Sequence, residues 1–179
     1  MASAFQERKL RGMFAAFDAD GDGCLREEDF RALVARWSLL PGVGPGTELR
    51  ARVETLLMGW WSALLDVGDT DGDGAVDLGE VLALVDRLPA MVADVTATAD
   101  TVFDAVDSNG DGVISPEEHL RLVETWNGQP TDVTGVFERL DLNGDGHLSR
   151  DEFALLWRQF WISDDPAEPG NWLCGRVPA

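Results

Sequence analysis

The sequence predicts an all-α protein of two helix–loop–helix pairs, with a short two-residue β bridge joining the loops within each pair. Three observations carry that reading. A twelve-residue acidic stretch recurs four times, beginning at Asp18, Asp69, Asp107 and Asp141. Each copy lies between segments whose apolar residues recur every three or four positions, the period of an amphipathic helix. Position 8 of the stretch is apolar in every copy, as Leu25, Val76, Ile114 and Leu148. One such unit cannot cover its own apolar face, so the repetition decides the fold. Antiparallel bridges at position 8 solve the problem, with Leu25 beside Val76 and Ile114 beside Leu148.

The third copy, Asp107–Glu118, is the most regular and sets the register for the rest. Asp107, Asn109 and Asp111 stand at positions 1, 3 and 5, Gly112 at 6, Val113 at 7, Ser115 at 9 and Glu118 at 12. This is the calcium loop of the EF-hand, D-x-[DN]-x-[DN]-G-x5-E. Calcium is a hard cation that takes roughly six to eight oxygens, and the spacing wraps side-chain oxygens and the position-7 carbonyl around one centre. Gly112 supplies the positive φ of the mid-loop turn. Ser115-Pro116-Glu117-Glu118 is also a helix start, with a serine N-cap, proline at the first helical position and glutamate at N3.

The first unit enters through Leu10, Met13, Phe14 and Phe17 and leaves through Phe30, Leu33, Val34 and Trp37. Its loop offers Asp18, Asp20, Asp22, the carbonyl of Cys24, and Asp29. Two positions depart from the pattern. Asp29 replaces glutamate at position 12 and is one methylene shorter, so bidentate coordination is harder to reach. Arg26 at position 9 can neither bind a cation nor cap the next helix.

After the break Pro41–Gly46, a longer helix runs from about Thr47 through Leu49, Val53, Leu56, Leu57, Trp60, Trp61, Leu64 and Leu65. The second loop offers Asp69, Asp71, Asp73, the carbonyl of Ala75, Asp77 and Glu80. Gly68 stands where the other units carry Phe17, Val106 and Leu140, which predicts fraying or a bend. Val81, Leu84, Val85 and Leu88 form the exiting face, closed by Pro89.

The third unit enters through Val95, Val102, Phe103 and Val106 and leaves through Leu120, Val123 and Trp126; Asn127–Pro130 makes the turn. The fourth enters through Val133, Val136, Phe137 and Leu140. Its loop offers Asp141, Asn143, Asp145, the carbonyl of His147, Ser149 and Glu152, and Phe153, Leu156, Trp157 and Phe160 line the last helix. The chain divides into an N-terminal pair, 1–88 (loops 18–29 and 69–80), a C-terminal pair, 89–162 (loops 107–118 and 141–152), and an irregular tail, 163–179. Trp172 and Leu173 predict that the tail packs on the body.

Composition agrees with cation demand. The formal net charge is −19, yet 45% of residues are hydrophobic and the acids fall in short clumps between apolar runs. That excludes a disordered acidic tail and disfavours nucleic-acid binding. The loops carry four, five, three and three carboxylates in order, so the two N-terminal loops repel most without metal, and binding there couples to folding. Three or four calcium ions are expected, with magnesium an option at the first loop.

The two cysteines, Cys24 and Cys174, read as free thiols of a reducing cytoplasm. The N-terminus carries no secretory pattern, Ala2 excludes N-myristoylation, and no apolar run spans a bilayer. The chain thus reads as a soluble cytoplasmic monomer without a membrane partner. His119 and His147 are the only histidines, and no nucleophile–base spacing points to an enzyme. The seven tryptophans read as core and tail anchors.

Four such loops in this length, the long spacing between the first two and the Asp29 ending resemble the sarcoplasmic calcium-binding proteins. The Ala-, Gly- and Arg-rich composition is similar to that of their bacterial relatives, the calerythrin-like proteins of actinomycetes, streptomycetes included. The resemblance implies two pairs in one compact globule and a calcium buffer or modest signalling role. Phe160-Trp161, Asp165-Pro166 and Pro178 also resemble the tail of the coelenterazine-binding photoproteins. Their chemistry needs His-Trp-Tyr groupings; this chain has no tyrosine and carries Trp157 where their histidine falls. Two other functions stay open: a sensor exposing an apolar groove to a target protein, and a carrier of a hydrophobic small ligand. Scarce methionine and the short Leu88-Pro89 junction weigh against the sensor.

Overall fold

Each loop is entered and left by a helix in the structure, a computed structural model that describes residues 3–84 and 92–177, without the side chains of 92–96. In chain order the elements are α1 (Ala4–Phe17), β1 (Cys24–Leu25), α2 (Glu27–Trp37), α3 (Glu48–Gly68), β2 (Val76–Asp77), α4 (Leu78–Ala83) and α5 (Val92–Val106). Then come β3 (Val113–Ile114), α6 (Pro116–Asn127), α7 (Phe137–Leu140), β4 (Leu148–Ser149), α8 (Arg150–Ile162) and a 3-10 turn, Pro169–Trp172. Val85, Leu88, Pro89, Pro178 and the side chain of Val95 lie outside the described residues.

The bridges fall at the expected register. β1 pairs antiparallel with β2, placing Leu25 opposite Val76, and β3 pairs with β4, placing Ile114 opposite Leu148. All four of these side chains are fully buried. They belong to one contiguous apolar core that also takes Phe30, Phe103, Phe153 and Trp157 from the loop-flanking helices. Burial of such side chains is worth about 1.5–3 kcal/mol each. The two halves therefore share a core: α3 packs on α5, and α1 on α6. Trp60 of α3 stacks on Trp157 of α8 with ring centroids 6.2 Å apart, and Phe17 meets Trp126 at 5.1 Å.

Local chemistry sets the helix starts. Ser3, Thr47, Asp77, Ser115 and Ser149 each accept a hydrogen bond from the N3 amide of the helix they open. Arg26, before α2, makes no such side-chain bond. Two expectations need correction. Gly68 does not fray the second entering helix: α3 stays regular through it, and Asp69 N–H closes the end on Leu65 O at 3.3 Å. A Cβ at Gly68 would lie 3.1 Å from Val76 Cγ1 and 3.3 Å from Leu84 Cδ1, so glycine stands there for close packing against the bridge. The fourth entering helix is shorter than its apolar pattern suggests. α7 is a single turn, and Val133 precedes it in irregular chain, because Pro130 and the positive φ of Gly135 (71°) hold off the helix until Phe137.

The tail is fastened by specific bonds. Lys9 Nζ of α1 donates to Phe160 O and Ser163 O, each at 2.7 Å, and to Asn171 Oδ1 at 2.9 Å. Buried His119 meets Leu173 O through Nε2 at 2.9 Å, Asn127 Nδ2 donates to Cys174 O at 3.3 Å, and Arg139 lies over the Trp172 ring. Burial pushes the Cys174 thiol up, out of the reactive range.

Candidate metal centre

The four loops share one backbone and one set of internal bonds. The position-1 aspartate holds the turn with both oxygens. In the first loop Asp18 Oδ1 accepts from Gly21 N at 2.9 Å and Asp22 N at 3.2 Å, and Oδ2 accepts from Gly23 N at 3.0 Å. Asp69, Asp107 and Asp141 repeat this pattern within 2.8–3.2 Å. The position-3 side chains Asp20, Asp71, Asn109 and Asn143 accept from the position-5 amide. Asp22, Asp73, Asp111 and Asp145 at position 5 accept in turn from the amides of Cys24, Ala75, Val113 and His147. Each bond uses an edge of a carboxylate or amide and leaves other lone pairs free for a cation.

The turn needs two glycines per loop. Position 6 has φ of 83–87° in all four. Position 4 is equally left-handed, at φ 71–77° in Gly21, Gly72, Gly110 and Gly144. The motif alone specifies only the position-6 glycine. The second was legible as the Gly that precedes every position-5 aspartate.

Position 12 ties the two ends of the loop together. Glu118 Oε1 accepts from Ser108 N at 2.8 Å, and Oε2 accepts from Ser115 N at 3.0 Å. Burial raises its pKa, but the Ser115 and Ser108 hydrogen bonds outweigh that and hold the carboxylate below its usual range. Glu80 is lowered in the same way by bonds from Asp77 and Thr70. Asp29, though shorter, spans the same two places, with Oδ1 on Ala19 N at 3.0 Å and Oδ2 on Arg26 N at 2.8 Å. Glu152 differs: Oε2 accepts from Ser149 N at 3.0 Å, while Oε1 is buried without a hydrogen-bond partner among the described residues. The position-9 side chains Asp77, Ser115 and Ser149 act as N-caps, each accepting from the position-12 amide.

A hard divalent cation fits this set. The oxygens of Asp18, Asp20 and Asp22 lie within 4.8 Å of one another, as do those of Asp69, Asp71 and Asp73. The bare, buried Oε1 of Glu152 is an oxygen that a cation would satisfy. All donors are oxygens, from carboxylates, amides, hydroxyls and backbone carbonyls, the chemistry calcium prefers. His119 lies away from the loop oxygens: its Nε2 meets Leu173 O at 2.9 Å, and burial lowers its pKa to about 4. The geometry thus defines a protein of paired, oxygen-lined cation loops.

Comparison with known proteins gives the family. Two models described as an EF-hand domain pair match residues 1–36 and 96–158. The chain belongs to the EF-hand family of calcium-binding proteins. It is 37% identical over 145 residues to guanylyl cyclase-activating protein 1 of Lithobates pipiens, an alignment covering 80% of this chain and 49% of that protein. The chain therefore spans about half the length of the curated relatives it matches. Its fold is similar to that of a sarcoplasmic calcium-binding protein from amphioxus (TM-score 0.75, 23% identity, 99% of this chain and 100% of that one). It is also similar to a Streptomyces coelicolor calcium-binding protein (TM-score 0.72, 22% identity, 89% and 99%). Among the described residues, no helix is long and apolar enough to cross a membrane.

Proposed function

We propose that this EF-hand protein is a calcium buffer or signal modulator of the sarcoplasmic type, acting through ion binding and not catalysis. The observation that carries it is the bonding framework that positions 1, 3 and 5 repeat in all four loops, the same side-chain oxygens on the same amides. The ligands are Asp18, Asp20, Asp22, Asp29 and the carbonyl of Cys24 in the first loop, and Asp69, Asp71, Asp73, Asp77, Glu80 and the carbonyl of Ala75 in the second. In the C-terminal half they are Asp107, Asn109, Asp111, Ser115, Glu118 and the carbonyl of Val113, then Asp141, Asn143, Asp145, Ser149, Glu152 and the carbonyl of His147. Residues 1–88 and 89–162 act as two calcium-binding pairs, clasped by the tail. The composition and the fold shared with the S. coelicolor protein support a place beside the calerythrin-like bacterial members. Titration calorimetry of chelator-stripped protein, with and without millimolar magnesium, tests the proposal. Three or four calcium ions per chain are expected, and fewer than two would overturn it.

One observation favours a second reading. A cavity of about 100 Å³ opens between α1, α3, α4 and α8, lined by Leu10, Met13, Phe17, Trp60, Leu84 and Trp161. An apolar opening of this kind suits a calcium sensor that widens a groove for a target, or a carrier of a hydrophobic small ligand. Calcium-dependent binding of an apolar dye would favour the sensor. A bound organic mass in the native mass spectrum would favour the carrier.

A further inference from the structure

The first loop differs from the other three in what its position-9 side chain does. In the second, third and fourth loops that residue turns back to cap the outgoing helix. In the first, Arg26 leaves the cap empty and its guanidinium reaches back along the exposed face of the loop, where Nη1 donates to Asp22 Oδ2. The other oxygen of Asp22 is engaged by the Cys24 amide at 2.9 Å. Oδ2 is therefore the Asp22 oxygen that no backbone amide engages, the one most open to a cation.

We propose that Arg26 is a tethered competing cation that sets the affinity of the first loop: it sits on the Asp22 oxygen the metal needs and must swing out before calcium can enter. The inference rests on the calcium-binding reading above and concerns this one site within it. The charge count supports it. The first loop has four carboxylates where the third and fourth have three, so on charge alone it should bind more tightly. Arg26 cancels that advantage at the ligand itself. A side-chain cation attached two positions from the chelating carbonyl is at high effective concentration and cannot diffuse away. The first loop then fills after the other three and responds to calcium in a higher range. Asp29 acts in the same direction, because its oxygens already bridge the Ala19 and Arg26 amides with one methylene less reach.

The test is a calcium titration read loop by loop. The amides of Gly23, Gly74, Gly112 and Gly146 each donate to the position-1 aspartate of their own loop, so their NMR resonances report the four sites separately. In the wild-type chain, Gly23 should shift last. Arg26→Met keeps the length of the side chain without charge or capping oxygen, and Arg26→Ser supplies the position-9 residue of the third and fourth loops. Both should tighten the first loop by about tenfold, the ratio corresponding to the loss of one adjacent like charge. Arg26→Lys should leave it weak. The other three glycines should keep their wild-type midpoints. A gain in Arg26→Ser alone would assign the effect to the helix cap and overturn the proposal, as would an unchanged Gly23 midpoint in both. If Gly112 and Gly146 failed to respond to calcium at all, the underlying calcium reading would fail instead, whatever Gly23 did.

Discussion

The guanidinium of Arg36 donates through Nη2 to Trp126 O at 2.8 Å and to Ala16 O at 3.0 Å. These carbonyls belong to the last turns of α6 and α1, which come from opposite halves of the chain. One cation thus sits at the negative ends of two helices and satisfies a carbonyl on each. Removing it in Arg36→Met should cost about 1–3 kcal/mol, the penalty for leaving buried carbonyls unpaired. Urea unfolding measures this, and Arg36→Lys should recover part of it. Gly128 supports the same contact. A Cβ there would run into Arg36 Nη1, at a φ of 71°, so Gly128→Ala should destabilise as well.

Glu152 separates calcium affinity from stability without metal. Its buried Oε1 has no hydrogen-bond partner among the described residues. Glu152→Gln removes that charge, so the chelator-treated variant should be at least as stable as wild type. With calcium the order should reverse. The fourth loop loses its position-12 carboxylate and should bind on the order of a hundredfold more weakly. The rise in melting temperature on adding calcium shrinks accordingly. A variant that kept the full calcium-dependent rise would remove Glu152 from the ligand set.

Much of this arrangement was legible in the sequence because it is local. Loop register and the buried face Phe30, Leu33, Val34 and Trp37 follow from spacings within a dozen residues, and the bridge at Ile114 and Leu148 from the apolar position 8 that every loop repeats. What escaped was tertiary. Nothing near Lys9 announces an acceptor at Phe160, 151 residues away. The imidazole of His119 shows its purpose only once Leu173 is folded against it. Gly68 read as a helix breaker, since propensity says so, yet the packing of Val76 and Leu84 decides that position. At Arg26 the sequence revealed what the residue cannot do, cap or chelate, but not that four residues back it had an anion to bind.

Lys9 gives a pH dependence with a defined sign. Burial lowers its pKa from 10.5 to about 8, against the raising effect of Asp164 and Glu168 in the tail. The folded value lies below the unfolded one, so between these limits the unfolded chain holds the extra proton. Stability then rises with pH across that window. Lys9→Met lacks the titrating group. The stability gap between wild type and Lys9→Met should therefore widen from pH 8 to 10.5 by up to about 3 kcal/mol, followed by urea midpoints at each pH. A gap that narrowed would mean that the three acceptors at Phe160, Ser163 and Asn171 hold the ammonium more strongly than burial opposes it.

Gly68→Ala pits two effects of opposite sign against each other. In an exposed helix interior, alanine would stabilise by about 1 kcal/mol over glycine. Here the new methyl would meet Val76 Cγ1 at 3.1 Å and Leu84 Cδ1 at 3.3 Å. Val76 is fully buried and fixed by the bridge to Leu25, so it has little room to move. Overpacking of a tight core costs about 1–3 kcal/mol, which outweighs the propensity gain. The expected result is a net loss of about 1 kcal/mol in urea unfolding, with a weaker second loop as Val76 is pushed. The Gly74 amide resonance in a calcium titration reports that weakening, because it lies in the loop Val76 belongs to. A variant that gained stability would show instead that α3 is limited by glycine's chain entropy at this end, as the sequence alone suggested.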